Sequence, residues 1–129
     1  MLINTSLLDS ISEQARNNER LRMNFNFHTS PESKSQRLLN AIEIGSVIPI
    51  HRHTHTAETY ILLRGILRVF FHNEGGEVIE TFDLDPLKGN YGIDIPQGQW
   101  HSLEIISPDT VIFEVKDGPY LALSGNDVR

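Results

Sequence analysis

The chain has 129 residues, with 11 Lys and Arg against 17 Asp and Glu, six His and no Cys. This length fits one compact domain, and a net charge of −6 without any basic block argues against nucleic acids and anionic membrane surfaces as partners. The lack of cysteine excludes disulfides, thiolate metal sites and a cysteine nucleophile, so a bound metal would have nitrogen and oxygen ligands.

Apolar runs in the sequence are short. The longest have four residues, at 60–63 and 120–123, whereas about 20 are needed to span a bilayer. The first residues show neither the charged start nor the apolar core of a secretory signal. We therefore expect a soluble, cytoplasmic protein with no membrane partner.

Residues 4–18 are predicted to form the single helix of the chain. Apolar side chains recur there at the spacing of one helical face, at Leu7, Leu8, Ile11 and Ala15. Ser6, with Asp9 three residues later, offers an N-terminal capping box, and Asn17 with Asn18 offers a stop.

From residue 21 the hydrophobic period changes from 3.6 to 2. Over residues 21–28 the apolar Leu21, Met23, Phe25 and Phe27 alternate with the polar Arg22, Asn24, Asn26 and His28. This alternation predicts a half-buried strand with one polar face. That face is either solvated or a pocket wall, in which Arg22 and Asn24, or Arg37 further along, would bind a substrate carboxylate or phosphate.

Further short strands, separated by turn-forming residues, are predicted along the rest of the chain. They span 36–44, 46–53, 58–64, 66–72, 77–83, 91–95, 100–107 and 110–116. Many short strands at regular spacing predict an all-β domain that closes into a barrel or a double sheet. We expect residues 1–20 to form the helix and its lead-in, and residues 21–129 to form a single β-barrel domain.

Three histidines and a glutamate lie between residues 51 and 58. His51 and His53 are alternate residues of a predicted strand, so their side chains share a face. Glu58 lies at odd spacing from both, so the chain must turn between residues 54 and 57 for the carboxylate to join them. His101 follows a Pro/Gly turn at 96–98. Three imidazoles and one carboxylate can bind one divalent metal, Mn, Fe, Co, Ni or Zn, and leave positions open for water or substrate.

The spacing of these residues resembles the two motifs of the cupin superfamily. The first motif is Gly, five residues, His-x-His, Glu and Gly, met here by Gly45, His51, His53, Glu58 and Gly65. The second motif, Pro-x-Gly-x-x-His, is met by Pro96, Gly98 and His101, with Ile105 at its Asn position. The resemblance implies a single-domain jelly-roll barrel after a short N-terminal helix, with His51, His53, Glu58 and His101 as the metal ligands.

A second likeness covers nearly the whole chain. Segments 22–28, 36–41 and 114–120, with a short helix before one barrel, resemble the WbuC-type cupin-fold metalloproteins found among O-antigen biosynthesis genes. This resemblance implies metal binding and a link to surface-polysaccharide sugars, without a settled reaction.

The ligand set predicts an enzyme of the isomerase or epimerase type, acting on a small, anionic metabolite with a carbonyl or sugar-like structure. A divalent ion with three neutral imidazoles and one carboxylate carries a net positive charge that polarises a carbonyl. An Fe(II)-dependent dioxygenase is the alternative among enzymes. A non-catalytic, metal-dependent sugar-binding or sensor module is the alternative from another class. For a catalytic acid or base the candidates are His28, Tyr60 and His55.

Four further expectations lie outside the ligand set. His55 is interpreted as a residue of the chain's corner, with replacement of His51 as a ligand the alternative. Trp100 should pack away from the metal, and His72 should be exposed. A homodimer is expected because the apolar stripe of the strand at 21–28 exceeds what one core covers.

Overall fold

The computed structural model describes all of residues 1–129. Its regular elements are α1 (Thr5–Arg16), β1 (Arg22–Asn26), β2 (Ser35–Ile42), β3 (Glu58–Arg64), β4 (Leu67–His72), β5 (Val78–Leu84), β6 (Gly92–Ile95), β7 (Trp100–Ile105) and β8 (Thr110–Asp117). A five-stranded sheet, in the order β1-β2-β8-β3-β6, faces a three-stranded sheet in the order β5-β4-β7, and all pairings are antiparallel. The predicted all-β jelly-roll barrel with one leading helix is confirmed.

The strands that form the apolar core between the two sheets carry polar side chains further along their length. The core consists of Ile42, Tyr60, Leu62, Leu67, Val69, Phe71, Leu84, Ile95, Ile105 and Ile112. On the paired strands β3 and β8, inward positions change from Leu62 opposite Ile112 to Glu58 opposite Lys116. Alternation keeps these residues on one face, so the polar site lies beyond the apolar core on the same face of the sheet.

Helix α1 packs on the outer face of the five-stranded sheet. Ile11 and Ala15 of the helix contact Leu39, Ala41 and Val111 of the strands, all five fully buried. Met23, Phe25 and Phe27 pack against the same cluster. The apolar stripe of β1 is therefore covered within one chain, and the homodimer that it motivated stays a prediction. Neither α1 nor any other helix has the length and hydrophobicity of a membrane span.

The cap of α1 lies two residues before the predicted one. The Asn4 side chain accepts a hydrogen bond of 3.0 Å from the backbone N–H of Leu7. Ser6 is exposed inside the first turn, because the helix already begins at Thr5, directly after Asn4.

We expect Asn4→Ala to lower the free energy of unfolding by about 1 kcal/mol, since the substitution removes the cap. Ser6→Ala, the matched control, should change it by less than about 0.5 kcal/mol. Chemical denaturation measures both values, and a larger loss for Ser6→Ala would contradict the assignment of the cap.

The prediction of a strand over 46–53 is wrong. Only His51 makes ladder contacts there, as a bridge between His101 of β7 and Val128 near the C terminus. Pro49 has no N–H to give to a ladder, which disfavours a regular strand through this segment. The segment is instead fixed at one point, where His51 and His101 exchange backbone hydrogen bonds of 3.0 and 2.9 Å.

The last residues of the chain return to the segment that carries His51. The backbone N–H of Arg52 donates to the carbonyl of Asp127, and the N–H of Arg129 donates to the carbonyl of Ile50, at 3.0 and 2.8 Å. The guanidinium groups of Arg52 and Arg129 stack on the ring of Trp100, 4.6 and 4.3 Å from its centroid. Trp100 is thus buried away from the histidines, as expected, and this stack helps to hold the C-terminal segment in place.

Candidate metal centre

The four residues predicted as ligands form a group that could hold a metal ion. The potential ligand atoms of His51, His53, Glu58 and His101 all lie within 4.8 Å of one another. Oε1 of Glu58 is 2.9 Å from Nε2 of His53, and its Oε2 is 3.4 Å from Nε2 of His101. The side chains of Glu58 and His101 are 3% and 1% exposed. Segments distant in the sequence therefore converge on one buried point.

Hydrogen bonds between the two motifs fix this convergence. The chain bends at residues 54 and 55, within the predicted corner, and Glu58 then opens β3. The turn before β7 holds that corner, because the N–H of Gly98 donates to the carbonyl of His53 at 2.8 Å and Nε2 of Gln97 donates to that of Thr54 at 2.6 Å. Gly98 has a φ of 80°, which a side chain would disfavour.

Two of the imidazoles are oriented by backbone carbonyls. Nδ1 of His51 lies 2.9 Å from the carbonyl of Pro49, and Nδ1 of His101 lies 2.9 Å from that of Gln99. A carbonyl only accepts, so each Nδ1 donates its proton and, in a neutral ring, leaves a lone pair on Nε2. This is the usual arrangement of a metal-ligating histidine.

Nε2 of His101 is buried and has no hydrogen-bond partner. It faces the carboxylate of Glu58 at 3.4 Å, so in the neutral ring two acceptors lie close together. A buried acceptor without a partner costs free energy, and a cation between the two groups would compensate for it. The residues present therefore fit a divalent transition metal.

The charge states at this point also favour a cation. Burial, together with the nearby His101, lowers the pKa of His51 to about 4, so its imidazole is neutral at pH 7. Burial alone would raise the pKa of Glu58, but contacts with His101 and His53 and the charge of Lys116 hold it well below the usual range. Neutral imidazole and ionised carboxylate are the forms that bind metals.

Tyr60 and Lys116 both contact the carboxylate of Glu58. The Tyr60 hydroxyl donates a 2.8 Å hydrogen bond to Oε2, and Nζ of Lys116 lies 3.5 Å from Oε1. Burial and the nearby Glu58 raise the pKa of Tyr60, so its hydroxyl stays a donor. Tyr60, a candidate acid or base from the sequence, thus contacts the carboxylate directly.

A cavity of about 470 Å³ lies beside the cluster, large enough for a small metabolite. His51, His53, Glu58 and Tyr60 line one part of it. The other polar lining residues are Asn18, Arg20, Arg22, Asn24, Asn40, Glu114 and Lys116, and the apolar ones include Ile48, Leu103, Leu121 and Leu123. The cluster therefore faces a space that combines cationic, acidic and apolar groups.

The structure separates the three residues predicted to bind substrate. Arg22 and Asn24 line the cavity, whereas Arg37 does not. On β2, Arg37 alternates in phase with Leu39 and Ala41, which lie under the helix, so its side chain leaves the sheet on the outer face.

His28 and His55 also lie outside the cavity. The ring of His28 accepts a 3.1 Å hydrogen bond at Nδ1 from the backbone N–H of Arg37. The ring centroid of His55 is 6.3 Å from that of His53, and His55 is not one of the four clustered residues.

His72 is buried, so the expectation of an exposed histidine is wrong. Its side chain lies between the carbonyl of Gly76, at 3.1 Å, and the hydroxyl of Ser102, at 2.8 Å. The residue is only 6% exposed because the hairpin that follows β4 folds over its ring.

Sequence reasoning missed Lys116, Glu114 and the C-terminal segment. On β8, Ile112, Glu114 and Lys116 alternate with apolar residues, which signals a strand with a partly polar face. That alternation does not say which face is inside, since both faces of β8 are covered, one by α1 and the other by the barrel.

Comparisons with known proteins agree with this architecture. In solved structures, KdgF from Halomonas sp. is similar at 17% identity and a TM-score of 0.58, covering 74% of this chain and 79% of KdgF. The cupin domain of Cnp3 from Schizosaccharomyces pombe is similar at 13% identity and a TM-score of 0.61. The match covers 77% of this chain and 66% of the Cnp3 chain.

CapF from Staphylococcus aureus, a capsular polysaccharide assembling protein, is similar at 21% identity and a TM-score of 0.58. The match covers 78% of this chain but 28% of CapF. At these identities the likeness shows the fold alone, and that fold is the cupin fold.

A search of the curated proteins finds no significant match. Residues 3–84 match the model of a family described as a domain of unknown function, DUF6016. The matched residues include three of the four clustered side chains, His51, His53 and Glu58. The chain therefore belongs to the DUF6016 family.

Proposed function

We propose that this protein is a metal-dependent enzyme of the isomerase or epimerase type, acting on a small, anionic metabolite with a carbonyl or sugar-like structure. The observation that carries the proposal is the convergence of His51, His53, Glu58 and His101 within 4.8 Å, with the rings of His51 and His101 each fixed through Nδ1. These residues would hold one divalent transition metal, Mn, Fe, Co, Ni or Zn. When bound, such a metal polarises a carbonyl or stabilises an enediolate.

The residues around the cluster suit this chemistry. Tyr60 and Lys116 keep the Glu58 carboxylate in one orientation, while Leu103, Leu121 and Leu123 give part of the cavity an apolar lining.

Glu114 is the best-placed group for proton transfer. It lines the same cavity, is 7% exposed, and accepts a 2.8 Å hydrogen bond from Asn40. Burial, and then the charge of Glu58, raises its pKa, which favours a carboxyl group that both holds and releases a proton. Glu114 therefore replaces His28 and His55 as the candidate acid or base.

The finer assignment that we propose is the WbuC type, with a role in surface-polysaccharide biosynthesis. It is supported by the sequence segments that resemble that type. It is also supported by the fold shared with CapF, whose own description concerns capsular polysaccharide assembly.

The proposal predicts metal-dependent exchange of a carbon-bound hydrogen. Protein purified without a His tag is loaded with each metal and incubated in D₂O with uronates and sugar phosphates. Proton NMR should show exchange beside a carbonyl, and this exchange should be lost after chelation and in the variant Glu58→Gln.

Other outcomes would assign a different function. Oxygen uptake with Fe(II), without exchange, would indicate the dioxygenase. Metal-dependent sugar binding with neither activity would indicate a non-catalytic binding module.

A further inference from the structure

Two arginines of the cavity have no carboxylate partner. Arg16, Arg52, Arg64, Arg68 and Arg129 each form an ion pair with Asp or Glu. Arg20 and Arg22, which line the cavity, form none within 4.0 Å, although acidic residues outnumber basic ones by 17 to 11. The only side-chain hydrogen bond of Arg22 goes to the carbonyl of Val47, at 3.0 Å. Positive charge on the cavity wall is thus left without an acidic partner.

The two guanidinium groups also repel each other. Burial, followed by the charge of Arg20, lowers the pKa of Arg22, while Glu114 compensates only in part. Arginine does not lose its proton in proteins, so the repulsion remains as an unfavourable term. An anion bound between the two groups would remove it, and the guanidinium fork matches the geometry of carboxylate and phosphate oxygens.

The pair is displaced from the candidate metal centre along the sheet. Arg22 lies opposite Ile42, which lies opposite Thr110 on β8. Glu58 lies opposite Lys116, six residues further along the same strand. A ligand that reaches both must therefore carry its anionic group at one end and its reacting group at the other.

The cavity wall near the arginines is also polar. Asn24 and its register partner Asn40 both line the cavity, and Asn40 donates through Nδ2 to Glu114. A few polar groups of this kind fix the orientation of a polar ligand in a pocket.

We propose that Arg20 and Arg22 form an oxyanion subsite that binds the terminal carboxylate or phosphate of a sugar. The identity of the substrate in this inference rests on the proposed function. The two arginines do not belong to the metal cluster, so anion binding at the subsite can be tested separately.

Titration calorimetry with inorganic phosphate and with D-glucuronate, and with D-glucose as the neutral probe, tests the subsite. Arg20→Met and Arg22→Met should each weaken binding of the anionic probe by about 10- to 100-fold, the range for hydrogen bonds to charged groups. The matched control is Arg37→Met, which removes the same charge outside the cavity and should change the affinity by less than about twofold. Arg22→Lys should recover part of the loss, because it restores the charge but not the fork.

The two anionic probes distinguish the sources of the oxyanion, since preference for phosphate indicates a sugar phosphate and preference for glucuronate indicates a uronate. Equal losses in Arg37→Met and Arg22→Met, glucose binding as tight as glucuronate binding, or no binding of either anion would overturn the subsite. Metal content is measured on the same samples and should not change in the arginine variants. Arginine-dependent anion binding by a protein that takes up no metal would refute the proposed function and leave the subsite standing.

Discussion

Replacing His101 by alanine should weaken the binding of a divalent transition metal by more than about 100-fold, because loss of a direct ligand exceeds the 10- to 100-fold effect of losing a residue that only orients one. His101 is 1% exposed, and its Nε2 has no partner within the protein. Nε2 is the nitrogen that can bind the metal, since Nδ1 lies against the carbonyl of Gln99, and alanine supplies no lone pair in its place.

The control for this substitution is His55→Ala. His55 belongs to the same histidine-rich segment but not to the cluster of four, so its removal should change metal affinity by less than about threefold, within the scatter of surface substitutions. Elemental analysis and competition with a chelator measure both affinities, and circular dichroism verifies the fold. Equal losses for His101→Ala and His55→Ala would mean that the wrong histidines had been assigned.

The candidate metal centre could be predicted because three of its four residues lie within one short segment of the chain. His51 and His53 lie two residues apart in extended chain, and the odd spacing to Glu58 requires the bend at residues 54 and 55. His101 is indicated by its own turn motif, and the hydrogen bonds exchanged between the backbones of His51 and His101 join the two segments in the structure.

The rest of the cavity depends on contacts between distant parts of the chain. Arg22 and Arg37 look equivalent in the sequence, yet Arg22 lines the cavity and Arg37 lies on the outer face of the sheet. Which face is inside is decided by α1, and no periodicity within β1 or β2 encodes where that helix packs.

The conformation of the segment around His51 also depends on contacts with distant parts of the chain. Apolar residues over 46–53 favour a strand, but a strand also needs a neighbour with free backbone groups. Here the neighbours are β7 on one side and the C-terminal residues on the other, each meeting the segment at His51. Neither pairing can be derived from the segment itself.

The other large effect concerns the turn between β3 and β4, where Gly65 lies against β8. Its φ is 97°, and a Cβ at this position would lie 2.7 Å from Cα of Thr110. Thr110 is fully buried and its hydroxyl donates to the carbonyl of Ser107 at 2.8 Å, so it has little freedom to move away. The glycine of the first motif is thus explained by a close approach of two backbones.

We expect Gly65→Ala to lower the free energy of unfolding by about 2–5 kcal/mol, the sum of about 1–2 for a left-handed residue with a side chain and about 1–3 for overpacking. The matched control is Gly76→Ala, where φ is 86° but no atom lies within 4 Å of the added carbon. Only the backbone strain remains there, so the loss should be about 1–2 kcal/mol. Chemical denaturation of both variants separates the two contributions. Equal losses would show that the contact with Thr110 relaxes freely and that only the backbone conformation requires glycine at position 65.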